Sequence, residues 1–211
     1  MKSESVSVES RGVKLLGELS IPETPQGVIL FAHGSGSGRL SPRNSWVAAR
    51  FNEARFATLL VDLLTESEAA KDSLTMEYRF DVQLLAKRLL LAAEWLKTRQ
   101  SLPLGYYGAS TGASATLIAA AEKPELVAAV VSRGGRADLA GASLPLVRAP
   151  TLLIVGGADT EILQLNEEAQ RRMTATTRLV VVKGATHLFE EPGKLDEVAR
   201  LSIEWFRQHL K

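Results

Sequence analysis

Short, predominantly apolar runs alternate along this chain with longer stretches of helical periodicity, and that alternation constrains its fold more than any other feature. The apolar runs are residues 27–32, 57–61, 103–107, 127–131, 150–155 and 179–182. A strand that is apolar throughout has to be covered on both faces, and a strand followed by a helix returns parallel to itself. The pattern therefore predicts an α/β fold: a mostly parallel central sheet with helices on both faces. Helices are expected over 45–54, 76–98, 111–121, 161–173 and 194–209, the second with Phe80, Leu84, Leu91 and Trp95 along one side. Ahead of these, Val6 and Val8 alternate with polar residues, Arg11-Gly12 forms a turn, and residues 13–20 return. This reads as a hairpin supplying an antiparallel edge. No repeat, low-complexity tract or linker breaks the chain, and its 211 residues suit a single domain over 1–211.

One strand–helix junction carries chemistry. The run ending at Tyr107 enters Gly108-Ala109-Ser110-Thr111-Gly112, and a small-residue helix follows. A strand running into G-x-S-x-G and then a helix is the pattern of a nucleophile elbow, a strained turn that lifts the serine Oγ above the sheet. The flanking glycines are required because side chains there would collide with the adjoining helix and strand. A serine hydroxyl needs a neutral imidazole to take its proton, and that imidazole needs an acid to hold its tautomer. Both appear in order. The 150–155 run ends in Gly156-Gly157-Ala158-Asp159, and the 179–182 run leads to Gly184-Ala185-Thr186-His187. Strand C-terminal ends are where parallel sheets build sites. Ser110, Asp159 and His187 are thus the expected nucleophile, acid and base. The bland readings are a turn serine, a helix-capping aspartate and a surface histidine; Asp138 and Glu161 are the competing acids.

Only three histidines are present. His209 lies near the C-terminus and reads as structural. His33 ends an early strand in His33-Gly34-Ser35-Gly36-Ser37-Gly38, and reads as a brace for that loop. Acyl transfer places negative charge on the former carbonyl oxygen, which fixed backbone N–H donors must meet. The expected donors are the N–H groups of Thr111 and Ser35. Read as a phosphate cradle, the same loop lacks the third glycine of a dinucleotide fingerprint, and no P-loop motif occurs. Arg39, Arg43 and Arg133 form a possible rim for an anionic substrate, although solvated or paired surface charge is the simpler reading. Asp62 reads as a loop brace. Residues 63–75 are expected to be irregular and to border the site. Residues 132–149 are too short for a lid, so an open, shallow site is expected.

Composition removes other classes. The net charge of +1 offers no basic surplus for nucleic acid. With no cysteine there is no disulfide, no thiolate metal site and no cysteine nucleophile. Metal and cofactor are not expected. The N-terminus lacks the apolar core of a signal peptide, and the longest apolar candidate for a span, 84–96, is broken by Lys87, Arg88 and Glu94. A soluble, cytoplasmic protein is the expectation, with a small-molecule ester as its partner and with neither nucleic acid nor membrane.

With these residues placed, the chain resembles a small α/β-hydrolase without a lid domain, of the dienelactone hydrolase-like branch. The resemblance spans nearly the whole chain and rests on His33-Gly34, the Ser110 elbow, Gly157-Ala158-Asp159 and Thr186-His187-Leu188-Phe189. It implies the fold, a Ser-His-Asp triad and metal-free hydrolysis. True dienelactone hydrolases use a cysteine nucleophile where this chain has serine, and their substrate-carboxylate arginines have no motif match here. Serine moves the expectation toward carboxylic esters of small or short-acyl substrates. Dienelactone hydrolase-like activity, thioester hydrolysis, peptidase, acyltransferase and perhydrolase chemistry use the same triad. A non-catalytic ligand receptor and a nucleotide-binding regulator are the readings from other classes.

Overall fold

The computed structural model describes residues 1–10 and 12–211. Arg11, placed in the predicted hairpin turn, lies outside the described residues. Eight strands form one sheet: β1 (Lys2–Ser10), β2 (Val13–Ile21), β3 (Gly27–Ala32), β4 (Phe56–Val61), β5 (Leu104–Ala109), β6 (Ala129–Arg133), β7 (Thr151–Gly156) and β8 (Thr177–Val182). Their order is β1-β2-β4-β3-β5-β6-β7-β8. The β1–β2 hairpin is antiparallel and joins β4 antiparallel; every other pairing is parallel. The expected mostly parallel sheet with an antiparallel N-terminal edge is therefore present.

Strand periodicity divides the apolar residues between two cores. Val28, Leu30, Leu59 and Tyr106 face α3 (Val82–Lys97) and α4 (Thr111–Glu122), where Leu89, Ala93 and Leu117 meet them. Ile29, Phe31 and Tyr107 face α1 (Pro42–Glu53) and α6 (Lys194–His209), meeting Phe51 and Phe206. Phe31, Phe51 and Tyr107 pack with ring centroids 4.9 to 5.6 Å apart. Each such buried aromatic contributes about 1.5–3 kcal/mol from area alone. α5 (Thr160–Arg172) covers the β7–β8 end.

The structure corrects the long helix expected over 76–98. Residues 66–75 form a helix of their own, α2 (Glu66–Thr75), which Met76 ends in the left-handed conformation. Thr65 accepts from the Glu68 N–H while the Glu68 carboxylate accepts from the Thr65 N–H, a capping box legible in the sequence as Thr65-x-x-Glu68. α3 starts afresh after Asp81, whose side chain accepts from the Leu84 N–H at 2.9 Å. Its buried face is also not the expected one. Leu85, Leu89, Ala93 and Leu96 turn inward, whereas Phe80 precedes the helix and is exposed, and Leu84, Leu91 and Trp95 are only partly covered. Both faces of α3 are apolar in sequence, so only the sheet's position selects between them. The expected 127–131 strand runs two residues later, over Ala129–Arg133, which brings Arg133 into the sheet. Residues 132–149 hold a kinked 3-10 segment, Ala137–Leu146, and no lid.

Candidate active site

Everything predicted for the elbow depends on close backbone approach, and the structure provides it. Ser110 takes φ 51° and ψ −122°, a strained conformation for a side-chain-bearing residue that costs about 1–3 kcal/mol. Its N–H donates to the Arg133 carbonyl at 3.2 Å, tying the turn to β6. A Cβ on Gly108 would stand 2.5 Å from the Ala113 Cα, and one on Gly112 would overlap the carbonyl oxygens of Ala32 and His33. The start of α4 therefore presses directly on the end of β3.

Two further strand ends meet the elbow. Asp159 stands at the N-cap of α5, yet its side chain makes no capping bond. It instead accepts from His187 Nδ1 at 2.6 Å, while His187 Nε2 lies 3.4 Å from Ser110 Oγ. A gap of that length is ordinary for such a pair without substrate. The His187 loop is fixed from below: the Ala158 N–H donates to the Ala185 carbonyl at 2.9 Å, and a Cβ at Gly134 would lie 3.1 Å from the His187 carbonyl oxygen. All three side chains are half-buried. Neither competing acid reaches the imidazole. Asp138 pairs with Arg136 at 2.8 Å, and Glu161 is exposed on α5.

On the other side of Ser110 runs the loop after β3. A Cβ on Gly34 would lie 3.1 Å from Ser110 Cβ, so this loop borders the hydroxyl closely. Among the described residues, neither the Ser35 nor the Thr111 N–H donates to a backbone carbonyl. His33 braces the loop as expected. Its Nε2 accepts from the Leu63 N–H at 3.1 Å, which leaves the proton on Nδ1 to donate to the Gly34 carbonyl at 3.0 Å. Burial holds the His33 pKa below the ordinary imidazole value. Between the two values only the unfolded chain binds the proton, so this group's contribution is full above about pH 6.5 and lost as pH falls. His209 is lowered too, by burial and then by Lys211, and adds in the same direction. Melting temperature is expected to fall between about pH 7.5 and 5.5, with a shallower slope in His33→Gln. An unchanged slope in a melting series of that variant would remove His33 as the source.

The arginines divide. Arg39 pairs with Asp62 and Glu18, and its N–H donates to Asp62 Oδ1 at 2.7 Å, so Asp62 does brace the loop. Arg43 pairs with exposed Glu190 at 2.6 Å. For Arg133 the simple reading fails: it is only 6% exposed, and among the described residues its buried Nε and Nη1 have no hydrogen-bond partner. A cavity of about 520 Å³ lies beyond the β3 loop, with Leu16, Leu64 and Leu85 among its apolar lining and Ser35, Asp62 and Arg79 among its polar lining. α2 contributes Ala69, Asp72 and Ser73 to it, so residues 63–75 border this cavity, although as a helix. The Arg79–Asp72 pair, 2.7 Å apart and buried on the aspartate side, was not singled out by sequence; nothing in its spacing distinguishes it from surface charge.

No family model matches the chain. Two curated Mycobacterium tuberculosis proteins named "Putative phosphoribosyl transferase" are 53% identical to all of this chain, which spans about half their length (47%). The crystal structure of dienelactone hydrolase from Anabaena variabilis is also 53% identical, with a TM-score of 0.97, covering 100% of this chain and 99% of that one. Est1E from Butyrivibrio proteoclasticus, 15% identical at TM-score 0.79 over 97% of this chain and 98% of its own, shares the fold. No helix among the described residues is long and apolar enough to cross a membrane. Sheet order, elbow and near-complete likeness to the Anabaena protein agree, and the chain belongs to the dienelactone hydrolase-like α/β-hydrolases.

Proposed function

We propose that the protein is a serine hydrolase that cleaves carboxylic esters of small or short-acyl substrates. The observation that carries this reading is His187 reaching Asp159 at 2.6 Å with one ring nitrogen and Ser110 at 3.4 Å with the other. In this reaction Ser110 Oγ attacks the ester carbonyl and His187 Nε2 takes its proton. Asp159 holds the Nδ1 proton and stabilises the imidazolium. The oxyanion is met by the N–H groups of Ser35 and Thr111, each such donor being worth about 3 kcal/mol. His187 then protonates the leaving alcohol, and a water that it deprotonates releases the acid from the acyl-enzyme. The cavity beyond the β3 loop, whose lining mixes Leu16, Leu64 and Leu85 with Arg39, Asp62 and Arg79, receives the larger substituent of the ester.

Labelling with an organophosphonate serine-hydrolase probe tests the proposal. One adduct by intact mass on the native chain, absent from Ser110→Ala, is expected. No adduct on well-folded protein would sink the hydrolase reading and favour a ligand receptor. Asp159→Asn is expected to lower ester turnover by about 10³-fold, because the imidazole loses its tautomer while the remaining groups stay in place. Undiminished p-nitrophenyl acetate turnover would mean that another acid serves.

A further inference from the structure

One buried amide ties the helix that begins at Asp159 to the loop that frames Ser110 and His187. The inward residues of α5 are Ile162, Asn166 and Ala169. Asparagine is a poor residue for a helix interior, and an apolar side chain is the ordinary occupant of such a stripe. Asn166 is nevertheless 0% exposed. Its Nδ2 donates to the Gly135 carbonyl at 2.8 Å and to the Ile162 carbonyl, one turn back, also at 2.8 Å. Both groups it meets are acceptors, so the amide turns its NH2 toward them. Its Oδ1 is left buried with no partner among the described residues, a penalty that leucine at this place would not carry. The Ile162 carbonyl already serves the helix ladder. The Gly135 carbonyl is different, because among the described residues no backbone N–H donates to it. Holding Gly135 is therefore what the asparagine contributes.

Gly135 matters for what lies on either side of it. One residue earlier, Gly134 lies against His187: a Cβ there would stand 3.1 Å from the His187 carbonyl oxygen and 3.6 Å from the ring carbon Cε1. One residue later, the Arg136 N–H donates to the Ser110 carbonyl at 3.1 Å, while the Arg133 carbonyl accepts from the Ser110 N–H at 3.2 Å. The elbow is thus held at both its N–H and its carbonyl by residues that flank Gly135. The loop fits tightly here, since a Cβ on Gly135 would meet Ser132 Oγ at 2.0 Å and Ala113 Cβ at 2.6 Å. Asp159 is the N-cap of α5, seven residues or about two turns before Asn166. One helix accordingly carries the acid at its start and, two turns on, grips the loop that touches both the base and the nucleophile.

We propose that Asn166 is a positioning residue of the triad: through the Gly135 carbonyl it holds residues 133–136 where they set the approach of His187 to Ser110. That approach is 3.4 Å, and a misplacement of about 1 Å between reacting groups costs about 10²-fold in rate. The inference rests on the hydrolase reading for its link to turnover, but not for its link to the geometry of His187.

Asn166→Leu, which keeps the bulk and removes the donor, tests this against Val8→Ala, a core truncation in the N-terminal hairpin far along the sheet. With p-nitrophenyl acetate, well below the melting temperatures of all three proteins, Asn166→Leu is expected to lose about tenfold or more in kcat with KM changed less than twofold. Val8→Ala is expected to keep its kcat. A kcat in Asn166→Leu within twofold of native, a loss matched by Val8→Ala, or a change confined to KM overturns the proposal. The second readout needs no turnover. The chain has three histidines, so 13C-histidine labelling gives three Cε1–H signals, assigned by His187→Gln and His209→Gln. In Asn166→Leu the His187 signal is expected to move while those of His33 and His209 stay in place. An unmoved His187 signal overturns the proposal even if kcat falls, because the loss would then not come through the base. Should Asn166→Leu fail to fold, Asn166→Ala removes the donor without bulk, and the same outcomes decide. If the native chain neither turns over ester nor takes the Ser110 label, the hydrolase reading fails and the His187 signal alone judges the positioning.

Discussion

Ser110→Ala is expected to lower ester turnover by roughly 10⁵-fold or more, while the protein keeps its melting temperature. In the proposed reaction the hydroxyl is the one group that forms the acyl-enzyme, and the neighbouring groups act through it, which is why so large a loss is expected. Stability is kept because alanine inherits the same φ of 51° and the same neighbours, and loses only a 3.4 Å contact to His187 Nε2. Ser110→Gly separates the two effects. It is equally inactive, but glycine accepts positive φ without strain and is expected to gain about 1 kcal/mol or more in unfolding free energy. That pair of outcomes would mark the strain held at the elbow as a cost of the proposed function. p-Nitrophenyl acetate kinetics alongside urea titration read both quantities. Comparable turnover in Ser110→Ala would remove Ser110 as the nucleophile.

Gly112→Ala is expected to have the largest effect on the fold itself. A single added methyl would overlap the carbonyl oxygens of Ala32 and His33, backbone atoms at the end of a central strand and just beyond it, which cannot rotate away as a side chain can. Ordinary overpacking costs about 1–3 kcal/mol; displacing the end of β3 from α4 should exceed that, at roughly 4 kcal/mol or more. That is a large fraction of the ~5–15 kcal/mol that holds a typical domain together. Turnover is expected to vanish with it, because the same shift carries Gly34 and Ser35 away from Ser110. Gly141→Ala is the informative contrast. Unlike Gly112, that glycine has positive φ, 52°, and nothing lies within 4 Å of its added Cβ, so only the backbone strain is felt. If Gly112→Ala melts no lower than Gly141→Ala, close approach is not what these glycines provide.

Much of the architecture was legible locally. Runs such as 27–32 and 152–155 are apolar at every position, and only a strand covered on both faces accommodates that. The elbow was equally legible, because its glycines, its serine and the small residues that follow are dictated by contacts within one strand–turn–helix unit. Asp159 and His187 were found by their place just beyond strand ends. α2 was missed although its capping box is written in Thr65 and Glu68, since the polar residues around it carry no apolar stripe to mark a helix. The inner face of α3 was misjudged because Leu84, Leu85, Leu91 and Ala92 offer two apolar faces, and periodicity cannot say which one meets a sheet.

By itself, then, the sequence determined the order of elements, the layered parallel sheet and the identity of the three residues that meet at its edge, all of which follow from side-chain patterning over a few neighbouring positions. Tertiary structure decided how far apart those residues stand, which acid reaches the imidazole, and that Arg133 is buried with no carboxylate partner among the described residues. Distance, burial and pairing are properties of segments remote in the chain, and they exist only once β5, β6, β7 and the loops that follow them have been packed side by side.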